Sequence, residues 1–208
     1  MARRISKQDS LSREVCYVAG LDVAYTQKKS IGAVAILELN SLSLVESHTV
    51  CAKTRFPYIS TLLSFREVPP AVSVMEAVDL QPDVVIVDGH GIMHPYRFGF
   101  ACHLGLILGK PTIGVAKRPL VGKVGQPNDQ NWAPVIDGDE VIGVALTVAE
   151  GVKPIYVSIG HMISLGKAIE VVKHCTSNHR IPKPLSLAHS IAKRAQRTIE
   201  EERSVSIL

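Results

Sequence analysis

The feature of the sequence that most limits the fold is the stretch of residues 84–105, VVIVDGHGIMHPYRFGFACHLG. Val84 to Val87 are all apolar, which predicts a short strand buried on both faces. Asp88 ends this strand, a loop with two glycines follows, and helical spacing begins near Phe98. Because open α/β sheets bind ligands where a central strand ends in such a loop, we predict a site here. For an isolated Asp-Gly, an aspartate that only caps the next helix is the commoner interpretation.

The loop after Asp88 carries more polar chemistry than a simple connection needs, which favours the site. Its polar side chains are His90, His94, Tyr96 and Arg97. The two histidines are four residues apart, but Gly91 and Pro95 argue against a shared helical face and therefore against a zinc pair.

The order of the predicted elements indicates the fold class. Residues 14–25, 31–39 and 44–52 form three strand-like runs with short polar connections, which predicts an antiparallel meander. A helix follows, with Pro69–Pro70 in its first turn, and then strand, helix and strand units. We interpret residues 117–134 as a loop, followed by two more strands and two closing helices. The sequence therefore predicts one α/β domain over residues 1–208, a ribonuclease H-like mixed sheet covered by helices on both faces.

The composition excludes several classes of protein. An apolar content of 46% and a charged content of 20% are ordinary for a globular chain, and no apolar run is long enough for a membrane span. The four cysteines are far apart and form no CxxC pair, which favours reduced thiols in the cytoplasm. The net charge of +4 permits an anionic partner without requiring one. We expect a monomer. The first residues contain no apolar run, so we do not expect them to act as a secretory signal.

Three carboxylates form a candidate metal site. Asp22 lies inside an apolar strand, where a charge is costly unless it is paired or binds a cation. If the strands of Asp22 and Asp88 are neighbours, their carboxylates converge, and oxygen ligands of this kind suit Mg²⁺. Glu67, near the start of the predicted helix, is a third candidate. A partly exposed strand aspartate and a solvated glutamate at a helix end are the alternative interpretations.

Five motifs, in this order, resemble the endonuclease V family, whose members act on deaminated bases. The matching stretches are GLDVAY at 20–25, FPYISTLLSFRE at 56–67, VDGHGIMHPYRFGFACHLG at 87–105, IGVAKRPLVG at 113–122 and VSIGHMISL at 157–165. Several motifs in register over most of residues 15–175 are far more specific than one short match.

The resemblance implies a divalent-metal site and a nuclease reaction. Asp22 and Asp88 match the metal-binding aspartates, and Glu67 matches the third catalytic carboxylate, with Mg²⁺ as the expected metal and Mn²⁺ as a substitute. The family nicks single- or double-stranded DNA at the second phosphodiester bond 3′ of deoxyinosine, leaving a 3′ hydroxyl and a 5′ phosphate.

The resemblance also implies a wedge that fills the space left by a flipped base. Tyr58, between Pro57 and Ile59, matches the wedge tyrosine, and Arg66 is a further candidate contact to DNA. The family usually continues with Pro-Gly, whereas this chain has Ser60-Thr61. We expect this change to make the wedge more mobile and to weaken lesion discrimination.

The remaining expectations concern the rim of the site. His94 and Lys117 match family positions that would contact the phosphate or the cut strand. Gly89 and Gly91 would seat the flipped base against their backbone amides. His189, on the last helix, is a candidate fourth metal-site residue, and His161 is interpreted as structural.

Three other functions remain open on the sequence. An inosine-specific ribonuclease would use the same metal site, because the contacts that distinguish RNA from DNA are not visible in these motifs. A nucleic-acid-binding module without catalysis would not need all three carboxylates. A small-molecule α/β enzyme would need a phosphate loop, but neither GxGxxG nor Walker spacing is present.

Overall fold

The computed structural model describes residues 1–11, 14–59, 61–176 and 179–205, with side chains as far as residue 202. After a 3₁₀ turn at Ala2–Arg4, the elements are β1 (Tyr17–Tyr25), β2 (Lys29–Glu38), β3 (Leu44–Lys53), α1 (Ser64–Glu76), β4 (Val84–Asp88), α2 (Phe100–Leu108), β5 (Thr112–Ala116), β6 (Lys123–Val124), β7 (Trp132–Asp137), β8 (Glu140–Leu146), β9 (Ile155–His161), α3 (Leu165–Cys175) and α4 (Lys183–Val205). Within these ranges, no helix combines the length and apolarity that a membrane crossing requires.

The strands form a nine-stranded sheet in the order β3-β2-β1-β4-β5-β9-β8-β7-β6. β1 pairs antiparallel with β2 and parallel with β4, which in turn pairs parallel with β5. The first five strands therefore have the predicted ribonuclease H-like arrangement, and the fold class is confirmed. The four strands from β9 outward extend this core as an antiparallel sheet.

Helices cover both faces of the sheet, as predicted. On β1, Ala19 and Leu21 point to one face and pack with buried residues of α1 and α2. Val18 points to the opposite face, where the core includes residues of α3 and α4. This alternation follows from the two-residue period of a strand. Both faces of β1 and β4 are buried, which explains their nearly continuous apolar sequences.

The structure corrects two local predictions. Helix α1 begins at Ser64, so Pro69 and Pro70 lie inside it instead of in its first turn. The prolines remove two backbone donors from the helix. Packing against β2 holds the segment in place, since a Cβ at Gly32 would lie 2.4 Å from the Pro70 carbonyl oxygen. The segment 117–134, which was predicted to be a loop, contains β6 and the start of β7. Its glycines and prolines are typical of loops, but proline is tolerated in strands near the edge of a sheet.

Candidate active site

Two aspartates lie side by side towards the carboxyl ends of two neighbouring strands inside the sheet. In the parallel pair β1–β4, Leu21 lies opposite Val87, and Asp22 and Asp88 are the next residues on the two strands. Side chains alternate along a strand, so both carboxylates point to the face that α4 covers. Asp22 is largely buried, with 13% of its side chain exposed. The sequence expectation that neighbouring strands bring these two residues together therefore holds in the structure.

Helix α4 places His189 against Asp22. The Nδ1 atom of His189 lies 2.7 Å from Oδ2 of Asp22, and half of the histidine side chain is exposed. The helix approaches β1 at Gly20, where a Cβ would lie 2.1 Å from the backbone of Pro184. Only glycine allows this approach. The register of α4 on β1 therefore determines that His189 lies at the carboxylates.

Glu67 brings a third carboxylate to the same region. Its Oε2 atom is buried and has no hydrogen-bond partner within the described part of the chain. Burial, together with the negative charges of Asp22 and Asp88, raises the pKa of Glu67 to about 8, against the opposing effect of Arg66. A buried carboxylate oxygen without a partner is costly, so this atom lacks a ligand that would compensate it.

Asp88 has the same electrostatic character. Burial and the charge of Asp22 raise its pKa, while the nearby positive charge of Lys117 acts in the opposite direction. His189 and His90 also oppose the shift. In both residues burial is the largest cause of the raised pKa, and the neighbouring carboxylates add to it.

This arrangement fits a hard divalent cation. Within the described ranges, no three His, Cys, Asp or Glu side chains are close enough to complete a metal site by themselves. Mg²⁺ does not need such a cage, because it keeps several waters and binds one or two carboxylates together with substrate phosphates. Carboxylate oxygens, one of them buried and unpartnered, are the donors that this ion prefers.

The glycine loop after β4 is packed tightly against the sheet. The Gly91 amide donates to Ser158 Oγ at 2.9 Å, and a Cβ on Gly91 would lie 1.9 Å from the Ile159 carbonyl oxygen. The Gly89 amide donates to the Val115 carbonyl oxygen at 3.0 Å. Both amides donate to acceptors inside the protein, and the binding of a flipped base to this loop stays a prediction. These glycines serve the packing of the loop.

His94 connects the loop after β4 to the wedge segment. Its Nδ1 accepts from the Tyr96 amide at 3.2 Å, and its Nε2 lies 3.1 Å from the carbonyl oxygen of Thr61. With Nδ1 as an acceptor, the proton belongs on Nε2, which donates to Thr61. Burial lowers the pKa of His94 and favours this neutral form. Both nitrogens have partners in the protein, so His94 positions Thr61 and Tyr96 here, and its contact with the phosphate or the cut strand stays a prediction.

The wedge residues are exposed, as a DNA-inserting segment requires. Tyr58 is 70% exposed, and Pro57 and Ile59 are also exposed. Arg66 donates a hydrogen bond to the carbonyl oxygen of Phe56, the residue before Pro57, at 3.4 Å. The Arg66 guanidinium also lies 4.2 Å from the centroid of the Tyr25 ring. Arg66 is therefore engaged within the protein, and Ser60 lies outside the described residues.

Thr61 adopts a backbone conformation that suits glycine. Its φ is +67°, which is unfavourable for a β-branched residue. We expect Thr61→Gly to stabilise the protein by about 1 kcal/mol, because it removes the clash of Cβ with the backbone. A thermal melt should show this as a rise in Tm of about 2–4 °C for a chain of this size.

The matched control is Thr49→Gly in strand β3, where φ is not positive and the side chain is exposed. That change should lower Tm, because glycine weakens a strand. A Thr61→Gly protein that melts at or below the parent temperature would contradict the assignment of strain to Thr61.

Tyr25 is a residue of the site that the sequence interpretation missed. Its hydroxyl group is buried, and burial together with the charge of Glu67 raises its pKa, whereas the neighbouring Arg66 acts in the opposite direction. Tyr25 is the last residue of GLDVAY, and aromatic residues are common in strands, so nothing in the sequence marked it as a site residue. Only the structure shows that Tyr25 lies between Arg66 and the carboxylates.

Comparisons with known proteins identify relatives over nearly the whole chain. The family model described as Endonuclease V matches residues 1–190. A protein of Thermofilum pendens named Endonuclease V is 44% identical over 208 residues, covering 98% of this chain and 88% of the relative. The Endonuclease V structure from Streptomyces avermitilis superposes with a TM-score of 0.89 at 34% identity, covering 96% and 90% of the two chains. The structure of Ciona intestinalis Endonuclease V has a TM-score of 0.82 at 32% identity, covers 95% and 94%, and contains a 24mer DNA with an inosine followed by a ribo-adenosine.

Proposed function

We propose, from the premise that this chain belongs to the endonuclease V family, that it is a divalent-metal-dependent nuclease that nicks DNA beside a deaminated base, chiefly deoxyinosine. The observation that carries this proposal is that Asp22 and Asp88 lie next to each other on β1 and β4, with the buried and unpartnered Oε2 atom of Glu67 in the same region. The Ciona relative with inosine-containing DNA supports the choice of substrate. Hydrolysis adds water across the second phosphodiester bond 3′ of the lesion, giving a 3′ hydroxyl and a 5′ phosphate.

Asp22 and Asp88 would hold Mg²⁺, or Mn²⁺ in its place, and the buried Oε2 of Glu67 would gain a partner when the ion binds. A bound ion would activate water and offset charge on the scissile phosphate. His189 orients the Asp22 carboxylate through the contact of 2.7 Å. Lys117, exposed at the end of β5, adds positive charge near Asp88, where the scissile phosphate would lie.

Substrate positioning falls to residues around this centre. The exposed ring of Tyr58 would fill the space that the extracted base leaves, and hypoxanthine leaves the duplex more easily because it pairs weakly. Helix α4 continues beyond His189 with an exposed basic groove that contains Lys193, Arg194 and Arg197. These cations suit the phosphate backbone, which contributes most of the sequence-independent affinity of a nucleic-acid-binding protein.

Cleavage of inosine-containing RNA is a second candidate function. The observation in its favour is that the Ciona complex has a ribo-adenosine directly after the inosine. A 2′ hydroxyl at that position is therefore compatible with binding by a relative that superposes over 95% of this chain. The metal site would serve either backbone, and contacts to the 2′ hydroxyl would decide between them.

A nicking assay with matched oligonucleotides tests both functions. Labelled DNA with one inosine, the same DNA with a ribonucleotide after the inosine, inosine RNA and undamaged duplex are incubated with Mg²⁺ or with chelator. We expect metal-dependent nicking of the inosine DNA and none of the undamaged duplex. Nicking of inosine RNA alone would replace the first function with the second, and nicking in chelator would contradict the metal requirement.

A second prediction concerns His189. We expect His189→Ala to raise the Mg²⁺ concentration needed for half-maximal nicking about tenfold, because partners of metal ligands orient them. A Mg²⁺ titration of the nicking rate measures this shift. Ser190→Ala is the control, since Ser190 is also exposed on α4 but its hydroxyl donates to the Ser186 carbonyl oxygen of the same helix. Identical Mg²⁺ curves for parent and His189→Ala would remove His189 from the site.

A further inference from the structure

A second groove lies between the end of β3 and the first half of α1. This α1 groove has a volume of about 320 Å³ and is lined by two phenylalanines, Phe56 and Phe65, and by Lys53, Arg55 and Arg66. None of its described lining residues is acidic. Basic residues alternating with aromatic rings are typical of surfaces that bind single-stranded nucleic acid.

The aromatic wall of the α1 groove is a supported platform. Phe65 is 44% exposed, and its ring centroid lies 5.7 Å from that of Phe56 with an interplanar angle of 32°. Behind it, the ring of His103 contacts Phe65 edge-on with a centroid distance of 5.1 Å. His103 is buried and lies 3.3 Å from the hydroxyl of Ser64. The Phe65 ring is therefore held in place while part of its surface remains open for stacking.

Positive charges lie beside this platform. Lys53 and Arg55 are exposed at the end of β3. Lys53 lies directly opposite Lys29 of β2, which is also exposed. Like charges directly opposite each other on neighbouring strands destabilise a sheet. A bound phosphate would relieve this repulsion and would use the positive charge of the groove.

We propose that the α1 groove binds an unpaired nucleotide of the strand that is cut, on the 5′ side of the lesion. Its base would stack on Phe65, and Lys53 and Arg55 would contact its phosphate. This inference rests on the proposed function, which places the scissile phosphate at the carboxylates and the lesion at Tyr58. Phe56 lines the α1 groove and directly precedes Pro57 and Tyr58, so the groove adjoins the wedge. In the proposal, the strand runs from the carboxylates past Tyr58 into this groove.

The test measures binding of single-stranded inosine oligonucleotides in chelator, so that no cleavage occurs. One oligonucleotide carries several nucleotides on the 5′ side of the inosine, and the other begins at the inosine. For the parent protein, we expect the 5′ extension to tighten binding about tenfold, which corresponds to stacking of one base on an aromatic side chain. Phe65→Leu should remove most of this gain while keeping an apolar side chain. Lys53→Gln with Arg55→Gln should also reduce it and should weaken its salt dependence.

The matched control is Arg3→Gln with Arg4→Gln, which removes the same charge from exposed positions. These residues precede Ser6, whose amide contacts His161 at the sheet edge opposite the carboxylates. This control should bind both oligonucleotides like the parent. The proposal would be overturned if Phe65→Leu lowered the affinity for both oligonucleotides equally. It would also be overturned if the loss of affinity required a 3′ extension or a complementary strand.

The outcome is separable from that of the proposed function. A protein that nicks inosine DNA but gains no affinity from the 5′ extension would retain the function and lose the α1 groove. A protein that gains affinity from the 5′ extension but does not nick inosine DNA would retain the α1 groove and lose the proposed function.

Discussion

Asp88→Asn is expected to lower the nicking rate on inosine DNA at least about a thousandfold, because a metal ion contributes several kcal/mol of charge stabilisation in such reactions. Asparagine keeps the size of the side chain but removes the charge at the position where β4 ends beside Asp22. Single-turnover nicking at saturating Mg²⁺ measures the effect. Binding of the inosine oligonucleotide should change little, since the substitution removes negative charge and leaves Tyr58 and the basic groove on α4 with Lys193, Arg194 and Arg197 intact.

The control for this experiment is Asp139→Asn, which removes the same charge from an exposed turn between β7 and β8. That variant should nick like the parent. Asp88 also lies in repulsion with Asp22, so its neutralisation should not unfold the protein. Metal-dependent nicking at an unchanged rate in a folded Asp88→Asn protein would remove Asp88 from the reaction.

Glu67→Gln is expected to abolish nicking while making the metal-free protein more stable. The pKa of Glu67 is about 8 in the folded chain, above the ordinary value of a glutamate. The folded state therefore binds more protons than the unfolded state between about pH 4.5 and pH 8, and stability falls as pH rises through that range. Glutamine cannot ionise, so it should remove this loss, and we expect a gain of about 1–3 kcal/mol at pH 8.5.

Urea unfolding in chelator at pH 5 and at pH 8.5 measures this difference. Parent and Glu67→Gln should be similar at pH 5 and should diverge at pH 8.5, whereas Glu76→Gln at the exposed end of α1 should follow the parent at both. Addition of Mg²⁺ should stabilise the parent more than Glu67→Gln, because a ligand of the folded state stabilises it in proportion to its affinity. A Glu67→Gln protein that is less stable than the parent at pH 8.5 would contradict the assignment of electrostatic stress to Glu67.

The sequence was sufficient for the parts of the site that depend on strand order. Asp22 lies inside one apolar strand and Asp88 ends another, and the order of elements places those strands next to each other, so their meeting was predictable. The register of α4 on β1 could not be predicted, because it depends on the close contact of Pro184 with Gly20, which no local sequence pattern encodes. The motif positions of Gly91 and His94 were correctly noticed, but their hydrogen bonds to Ser158 and Thr61 are tertiary contacts.

Local propensity also failed where packing overrode it. Pro69 and Pro70 normally mark the beginning of a helix, but α1 starts at Ser64 and keeps both prolines because Pro70 packs against Gly32. Tyr25 had no sequence signal beyond its motif, since an aromatic residue at a strand end is ordinary. Its buried hydroxyl became evident only from the neighbouring Arg66 and Glu67.

The contact between His189 and Asp22 has a consequence for the order of events during folding. It joins the first long strand to the last helix across 167 residues of chain. Contacts of such sequence separation carry a large loop-closure cost and form late. A nascent chain whose sheet has formed, but whose α4 has not yet docked, therefore presents Asp22 without its histidine. We therefore expect the contact between His189 and Asp22 to form only when α4 docks on β1, after the strands of the sheet have paired.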